Sequence, residues 1–384
     1  MATATSAAPA ARAPIEIVPV TTPALLKRFI RLPALLHKHD PLFVPHLEIE
    51  RGEAFSSKHN PYFEHAEVQF WLAQRNGRDV GRISAQIDKL ATPGQGHFGL
   101  IEAEDDPVIF ASLFATAESW LRTRDCVEVL GPFNLSINEE TGLLVKGFDT
   151  PPMVMMSHDF AYVAPRIEAL GYTKARDLIA YLYDVEKPLP RALQRMVDRE
   201  QSQIRLRTLD MKRYREDIQT VTQIFNDAWS GNWGFVPYTP AEIDHLGTAL
   251  KMLIDPELAP IAEIDGKPVA FGIALPNLNE ATRGMGGKLL PFNWAKLLWR
   301  LKVSGVKSGR VPLMGVRRDL GAGLASAVVP ILVIEAMRKR AQAIGMKQVE
   351  LSWILEDNKA MRSMIESIGG DPYKTYRVYR KALV

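Results

Sequence analysis

The chain holds one cysteine, Cys126, among 384 residues. A single thiol excludes an intrachain disulfide and fits a reducing compartment. Cys126 opens a strand expected at Cys126–Leu130, where it reads as a small packing residue; no local motif makes it a nucleophile. Long apolar runs are also missing: none reaches the ~18 residues that a membrane-spanning helix needs. The first 14 residues, Met1 to Pro14, lack a continuous apolar stretch, which argues against a secretory signal and for a disordered tail. The net charge of +3 is too small to name a partner. No His, Cys and carboxylate group shows metal-ligand spacing, so no metal is expected. No Gly-x-Ser-x-Gly elbow occurs either. One absence is local: from Arg283 to Arg318 there are nine Lys or Arg and no Asp or Glu.

What is present is clearest near the C-terminus. Arg318-Asp319-Leu320-Gly321-Ala322-Gly323 lies between an expected strand and an expected helix. Glycines let the backbone approach an anion closely. The amides of a helix start, with the helix dipole, favour negative charge. Arg318 adds a cation, so the turn reads as a pyrophosphate cradle made by Arg318, Leu320, Gly321, Ala322 and Gly323.

The sequence repeats itself. Trp71–Gly81 and Pro260–Ala270 are apolar strands broken by Asn76-Gly77 and Asp265-Gly266, the signature of tight hairpins. Ile167–Gly171 and Ile365–Gly369 both read as a helix stopped by glycine. These landmarks lie 94 positions apart in the first half and 103 in the second. Two copies of a mixed α/β fold are expected, each roughly strand, helices, hairpin, strand, helix, strand, helix, strand. In the second copy the expected elements are a strand at Ile204–Thr208, a helix at Tyr214–Trp229 and a hairpin at Ile261–Leu275. A strand at Val311–Val316, a helix at Ala325–Ile344, a strand at Gln348–Ile354, a helix at Asn358–Ile368 and a strand at Thr375–Arg380 follow. The prolines of Glu186–Pro190 mark the junction. The expected organisation is a tail at 1–14, an N-terminal domain at 15–186 and a C-terminal domain at 187–384 carrying a basic insert at 283–310.

This order, with Arg318-x-x-Gly321-x-Gly323 after the central strand and Glu356–Ala360, Ile365 and Gly369 behind it, resembles the GNAT superfamily of acyl-CoA N-acyltransferases. The N-terminal half has Asn60-Pro61-Tyr62-Phe63, Gly131–Asn134, Asn138–Gly142, Gly147–Pro152 and Met155–Asp159. Together these resemble a bacterial family of tandem GNAT-like proteins that includes ceramide synthases. The resemblance implies two tandem GNAT-like domains and an acyl-CoA donor. It implies transfer of a long-chain acyl group to a primary amine, such as the sphingoid bases 3-oxosphinganine or sphinganine. At the turn matching the cradle the N-terminal half has Glu102–Pro107, whose four acids would repel a pyrophosphate. It is therefore expected to be degenerate and to shape the acceptor site.

By the resemblance, backbone amides of Met314, Gly315 and Val316 polarise the thioester carbonyl, and Asn358 sits beside the pantetheine arm. As residues alone, Asn358 is a plain N-cap. N-acylation also needs a base for the ammonium, a donor for the oxyanion and a proton for the leaving thiolate. The superfamily often places a tyrosine acid where this chain has Ile365. Tyr373 and Tyr376 are substitutes that read first as packing residues. Glu263, on the hairpin strand, is a candidate base that reads first as a solvated strand residue. His158 and Asp159 form the sharpest acid/base pair by type. Asn138, Glu139 and Glu140 read as a solvated turn, with the acceptor cleft as second reading.

In the basic insert, Pro291–Lys302 reads as a short helix with Trp294, Leu297, Leu298 and Leu301 on one face. An apolar face rimmed by Lys and Arg fits an anionic membrane surface, and equally a helix packed on the core. Aliphatics outweigh isolated aromatics there, so no nucleic acid is expected. The expected location is the cytoplasm, with peripheral contact to the inner membrane through 291–302. Two other readings stay open: an aminoacyl-tRNA-dependent transferase of the peptidoglycan type, and a non-catalytic degenerate GNAT protein.

Overall fold

In the computed structural model, residues 13–200, 203–251, 253–321 and 324–383 are described. The N-terminal half begins with β1 (Glu16–Pro19), α1 (Pro23–Leu36) and α2 (Glu48–Ala54), followed by β2 (Ala66–Arg75), β3 (Arg78–Asp88) and β4 (Gln95–Ala103). Helix α3 (Pro107–Arg122) leads to β5 (Glu128–Gly131), the short β6 (Phe133–Asn134), β7 (Glu140–Thr141) and β8 (Leu143–Lys146), then α4 (Val163–Glu168) and β9 (Thr173–Asp184). After the proline stretch come α5 (Arg191–Glu200), β10 (Arg205–Thr208), α6 (Tyr214–Trp229), α7 (Pro240–Lys251), β11 (Pro260–Ile264) and β12 (Lys267–Pro276). Then follow α8 (Leu278–Thr282), α9 (Asn293–Trp299), β13 (Ser308–Val316), α10 (Leu324–Ala343), β14 (Gln348–Leu355), α11 (Lys359–Ser367) and β15 (Asp371–Ala382).

Local chemistry explains the boundaries. Asn76-Gly77 and Asp265-Gly266 all have positive φ, from 51° to 74°, as a two-residue hairpin turn requires. Thr22 and Asp106 cap α1 and α3 by accepting from Leu25 and Val108 amides at 3.3 and 2.9 Å, each followed by proline at the first helical position. Such caps contribute about 1 kcal/mol each. Gly171 and Gly369 carry φ of 86° and 93° just past α4 and α11, which ends both helices.

Thirteen strands make one mixed sheet in the order β1-β2-β3-β4-β5-β15-β9-β14-β13-β12-β11-β10, with β8 also paired to β15, and β6 and β7 form a separate two-stranded ribbon. The order is palindromic in role: β1 to β5 on one side correspond to β10 to β14 on the other. The halves are joined by exchange. Strand β15, from the end of the chain, pairs with β5, while β9 pairs with β14. In each half one parallel pair is linked by a crossover helix: β4 to β5 through α3, and β13 to β14 through α10. Both pairs part after three or four residues, at His97 with Leu130 and at Val311 with Leu351. Each parting opens a cleft in the sheet, and the two clefts position everything that follows.

Candidate active site

The C-terminal cleft opens where β13 meets Pro312. The register of β13 against β12 shifts between Ile273 and Leu275. Proline has no N–H to continue a ladder, so a strand bulges or parts there. The cleft is walled by Pro312, Met314, Trp353 and Ile354 from the strands, Trp229 from α6, and Met361 and Ile365 from α11. Ile365 thus stands in the cleft wall, 2% exposed, as an inert side chain. Of the three β13 residues expected to meet the thioester, Met314 lines the cleft, and its carbonyl accepts from Trp229 Nε1 at 3.0 Å. Gly315 instead serves packing: a Cβ there would lie 2.9 Å from the Phe271 ring. Val316 pairs with Ala270.

The turn beyond β13 is closed on itself in its described part. The Arg318 amide donates to Asp227 Oδ2 at 2.8 Å, and the amides of Leu320 and Gly321 donate to Arg317 and Arg318 carbonyls at 3.4 and 3.3 Å. The expectation of free amides is therefore not met at 318–321, where a carboxylate from α6 already takes one of them. Gly321 has φ of 70°, and the Arg318 side chain is exposed. Ala322 and Gly323 lie outside the described residues. Asn358 caps α11, its side chain accepting from the Met361 amide at 3.1 Å.

Next to the cleft lies a second, apolar cavity with about 600 Å³ of empty space. Trp229, Pro312 and Trp353 line both spaces, and the two indole rings meet edge to face at 5.8 Å. Ile273, Leu275, Leu246, Leu250 and Phe225 supply the apolar wall, and Asn138 and Glu139 reach in from the N-terminal half. Glu139 is exposed, on the rim of the cavity and of its neighbour beneath α7. Crowding by protein pushes its carboxyl up to about 7, with Glu140, Glu50 and Glu242 adding to the rise against Arg51. A carboxyl that titrates near neutrality in an apolar cavity is suited to accept a proton. The reading of Asn138–Glu140 as a solvated turn is corrected at Glu140, which is 7% exposed; Glu139 is exposed in that turn and also lines the apolar cavity.

The N-terminal cleft is polar. It is an open space of about 790 Å³ lined by Arg51, Arg82, Glu102, Glu140, His158 and Asp159 among others. The Arg51 guanidinium pairs with the Glu140 carboxylate, which also accepts from Asn134 at 3.0 Å. Burial alone would raise Glu140, but Arg51 and His46 beside it hold it down to about 2. His158 does not pair with Asp159: its Nε2 lies 2.8 Å from Asp40 Oδ2. Asp159 accepts from the Leu144 amide at 2.8 Å, and burial pushes it up to about 7.

The remaining sequence candidates sit elsewhere. Glu263 is 8% exposed and accepts from Arg207 Nε at 2.6 Å; Arg207 also holds Asp217. This ion-pair group near the β10 edge ties β10, β11 and α6 together, and Glu263 lines neither cavity. Tyr376 is fully buried with no partner for its hydroxyl; burial and the Glu350 charge push its pKa up. It too lines neither cavity, and the Tyr373 hydroxyl donates to Glu350. The four acids of Glu102–Pro107 do not stand bare. Glu102, Glu104, Asp105 and Asp106 pair with Arg82, Arg78, Arg166 and Arg75. What fills this turn is its own cap: Asp106 accepts from Val108, and Pro107 removes an amide. Sequence reasoning passed over Arg51, whose only signal was a basic residue in a short acidic helix.

No known protein-family profile matches the chain. Among curated proteins, it is 54% identical over 377 residues to a protein of Caulobacter vibrioides named bacterial ceramide synthase, covering 97% of this chain and 98% of that one. It is 46% identical over 363 residues to Protein YghO of Escherichia coli, covering 93% of each. Among solved structures, a tandem GNAT protein from the clavulanic acid biosynthesis pathway superposes with a TM-score of 0.57 at 12% identity, over 96% of this chain and 99% of that one. A GCN5-related N-acetyltransferase from Sphaerobacter thermophilus gives 0.53 at 15% identity over 96% of each. These two likenesses establish the tandem GNAT fold.

Proposed function

The chain belongs to the bacterial ceramide synthase family of acyltransferases, and from that premise we propose that it moves a long-chain acyl group from acyl-CoA to the amine of a sphingoid base such as 3-oxosphinganine or sphinganine. The observation that carries this reading is the apolar cavity beside the C-terminal cleft, with Glu139 in its wall and Trp229 and Trp353 between the two spaces. The cleft takes the pantetheine arm along Met314, with the exposed Arg318 side chain meeting the phosphates and Asn358 beside the arm. The cavity takes a lipid chain. Glu139 removes the ammonium proton so that the free amine attacks the thioester carbonyl. The tetrahedral intermediate collapses with cleavage of the C–S bond, the nitrogen loses its second proton as the CoA thiolate takes one up, and the proton held by Glu139 leaves to solvent.

The halves divide the work on this reading. The C-terminal half, 187–384, holds the donor, and the N-terminal half, 15–186, contributes Asn138 and Glu139 to the acceptor side. On this reading the exposed apolar residues of the basic insert meet an anionic membrane, and a lipid amine enters from it. The direct test incubates the full chain with palmitoyl-CoA and a panel of amines, including sphinganine, 3-oxosphinganine and short polar amines, with products read by mass spectrometry. N-acylated sphingoid base with release of free CoA is the expected result. Acylation confined to short polar amines, or no thermal shift with any acyl-CoA, would overturn the reading.

A further inference from the structure

Where α1 ends, three side chains able to ligate a metal converge from distant parts of the chain. His37 is the C-cap residue of α1, Asp40 follows three positions later, and His158 comes from the loop that walls the N-terminal cavity. His158 Nε2 and His37 Nδ1 lie 2.8 and 3.6 Å from the same oxygen, Asp40 Oδ2. The three ligand atoms all lie within 4.8 Å of one another.

Ordinary hydrogen bonding leaves this group incomplete. His37 is 2% exposed, yet neither of its ring nitrogens has a hydrogen-bond partner, and Nδ1 of His158 has none. A buried polar atom without a partner is costly and calls for a reason. The His37 ring is held in place, stacked between Phe43 and Phe160 at centroid separations of 4.2 and 3.9 Å. Its far nitrogen, Nε2, faces Glu102 Oε2 at 3.8 Å, an oxygen that also lacks a hydrogen bond. A carboxylate behind a ligating histidine is the usual arrangement around metals, because it fixes the tautomer and the ring.

We propose that His37 Nδ1, Asp40 Oδ2 and His158 Nε2 form a site for one divalent cation of the zinc type. Two imidazoles and a carboxylate are a ligand set that suits zinc. Tetrahedral bonds of ~2.0–2.2 Å set ligand atoms about 3.3 Å apart. The closest pair must open slightly and the widest close, which needs only side-chain movement. Three protein ligands leave a fourth position, and His158 gives it access to the polar N-terminal cavity. The cation would clamp the end of α1 to the loop carrying His158. It stands apart from Glu139 and the C-terminal cleft, so it does not rest on the proposed reaction.

The test uses the full chain, purified without a metal-affinity tag and dialysed against chelator, then titrated calorimetrically with zinc chloride. One saturable equivalent and a rise in Tm are expected. Asp40→Asn and His158→Gln should each weaken zinc binding by at least ~10-fold, and Glu102→Gln by about that factor. Asp40 has a side chain 21% exposed, so its variant keeps the test valid should a His37 variant not fold. Absence of saturable binding by the unmodified chain overturns the site. So does zinc binding that survives Asp40→Asn and His158→Gln unchanged.

Discussion

Glu139 and Glu140 are consecutive in the chain, and their carboxylates end in different cavities. Glu139 lines the apolar cavity behind Trp229 and Trp353, where its carboxyl is pushed up to about 7. Glu140 turns to the polar N-terminal cleft, where Arg51 pairs with it and it is held down to about 2. One peptide bond separates a carboxyl that titrates at neutrality from one that stays ionised, so the two substitutions have opposite signatures.

Glu139→Gln should lower kcat/KM by ~10²–10⁴, the usual contribution of a positioned base. In the unaltered enzyme, kcat/KM should rise with pH through about 7 and then level, and the variant should lose that limb. Stability carries the same group with its own sign. The folded chain keeps the Glu139 proton between the ordinary value of 4.5 and about 7, so folding takes up a proton there. Stability from this group falls as pH rises through that window, and Glu139→Gln should flatten it. A pH–rate profile that keeps its limb in Glu139→Gln would assign the base elsewhere.

Glu140→Gln should destabilise the fold strongly, because it takes the closest carboxylate from the largely buried Arg51 cation and leaves it only Glu50 at 3.5 Å. Breaking a buried pair from one side costs about 3–5 kcal/mol. Glu140→Gln combined with Arg51→Met should recover much of that loss, which urea unfolding of the single and double variants measures. The depressed carboxyl also predicts an acid limb: its stabilisation is complete above 4.5 and is lost as pH falls toward about 2. Equal unfolding midpoints for the single and double variants would show that the pair is not coupled.

Much of the frame was legible because it rests on local rules. Asn76-Gly77 and Asp265-Gly266 could only be tight turns, and the helix expected at Tyr214–Trp229 has those bounds. The exchange of β9 and β15 was not legible, since no local pattern says which half a strand will join. The site divides in the same way. Ile365 and Met314, which line the cleft, were singled out by the resemblance to the GNAT superfamily. Glu140 was misread as part of a solvated turn because the group that covers it, Arg51 on α2, lies 89 positions away in the chain. The grouping of His158 with His37 and Asp40 escaped for the same reason: 118 positions separate Asp40 from His158.

The apolar cavity should set chain length. Leu246 on α7 lines it and is only half-buried, so a larger side chain can be placed there without forcing the core apart. Leu246→Trp should lower kcat/KM for palmitoyl-CoA or for a long-chain amine by at least ~10-fold, while shorter-chain counterparts lose little. Comparing acyl donors of several lengths against one amine, and amines of several lengths against one donor, shows which chain the cavity holds. A uniform loss across both series would mean that the cavity holds neither.

The basic insert makes the last prediction. Helix α9 continues into a wider turn over Arg300–Ser304, and its apolar residues divide between two partners. Leu297 and Leu301 pack on the C-terminal core and fasten the segment. Trp294 and Leu298, expected on the same face, are exposed, as are Phe292 at 79%, Trp299 at 59% and Val303 at 63%. Lys288, Lys296 and Lys302 lie exposed among them, and no acid occurs between Arg283 and Arg318. Among the described residues no helix is long and apolar enough to cross a bilayer. The segment therefore suits lying on one, with its aromatics in the acyl boundary and its lysines on anionic headgroups, each worth ~1 kcal/mol. The full chain should float with vesicles containing phosphatidylglycerol, more weakly at high salt and on neutral vesicles. Phe292→Asp with Trp299→Asp should abolish flotation and leave acylation of a short, soluble amine unchanged, since neither side chain lines the cleft or the apolar cavity. Equal flotation of that double variant would show that the exposed aromatics do not meet lipid.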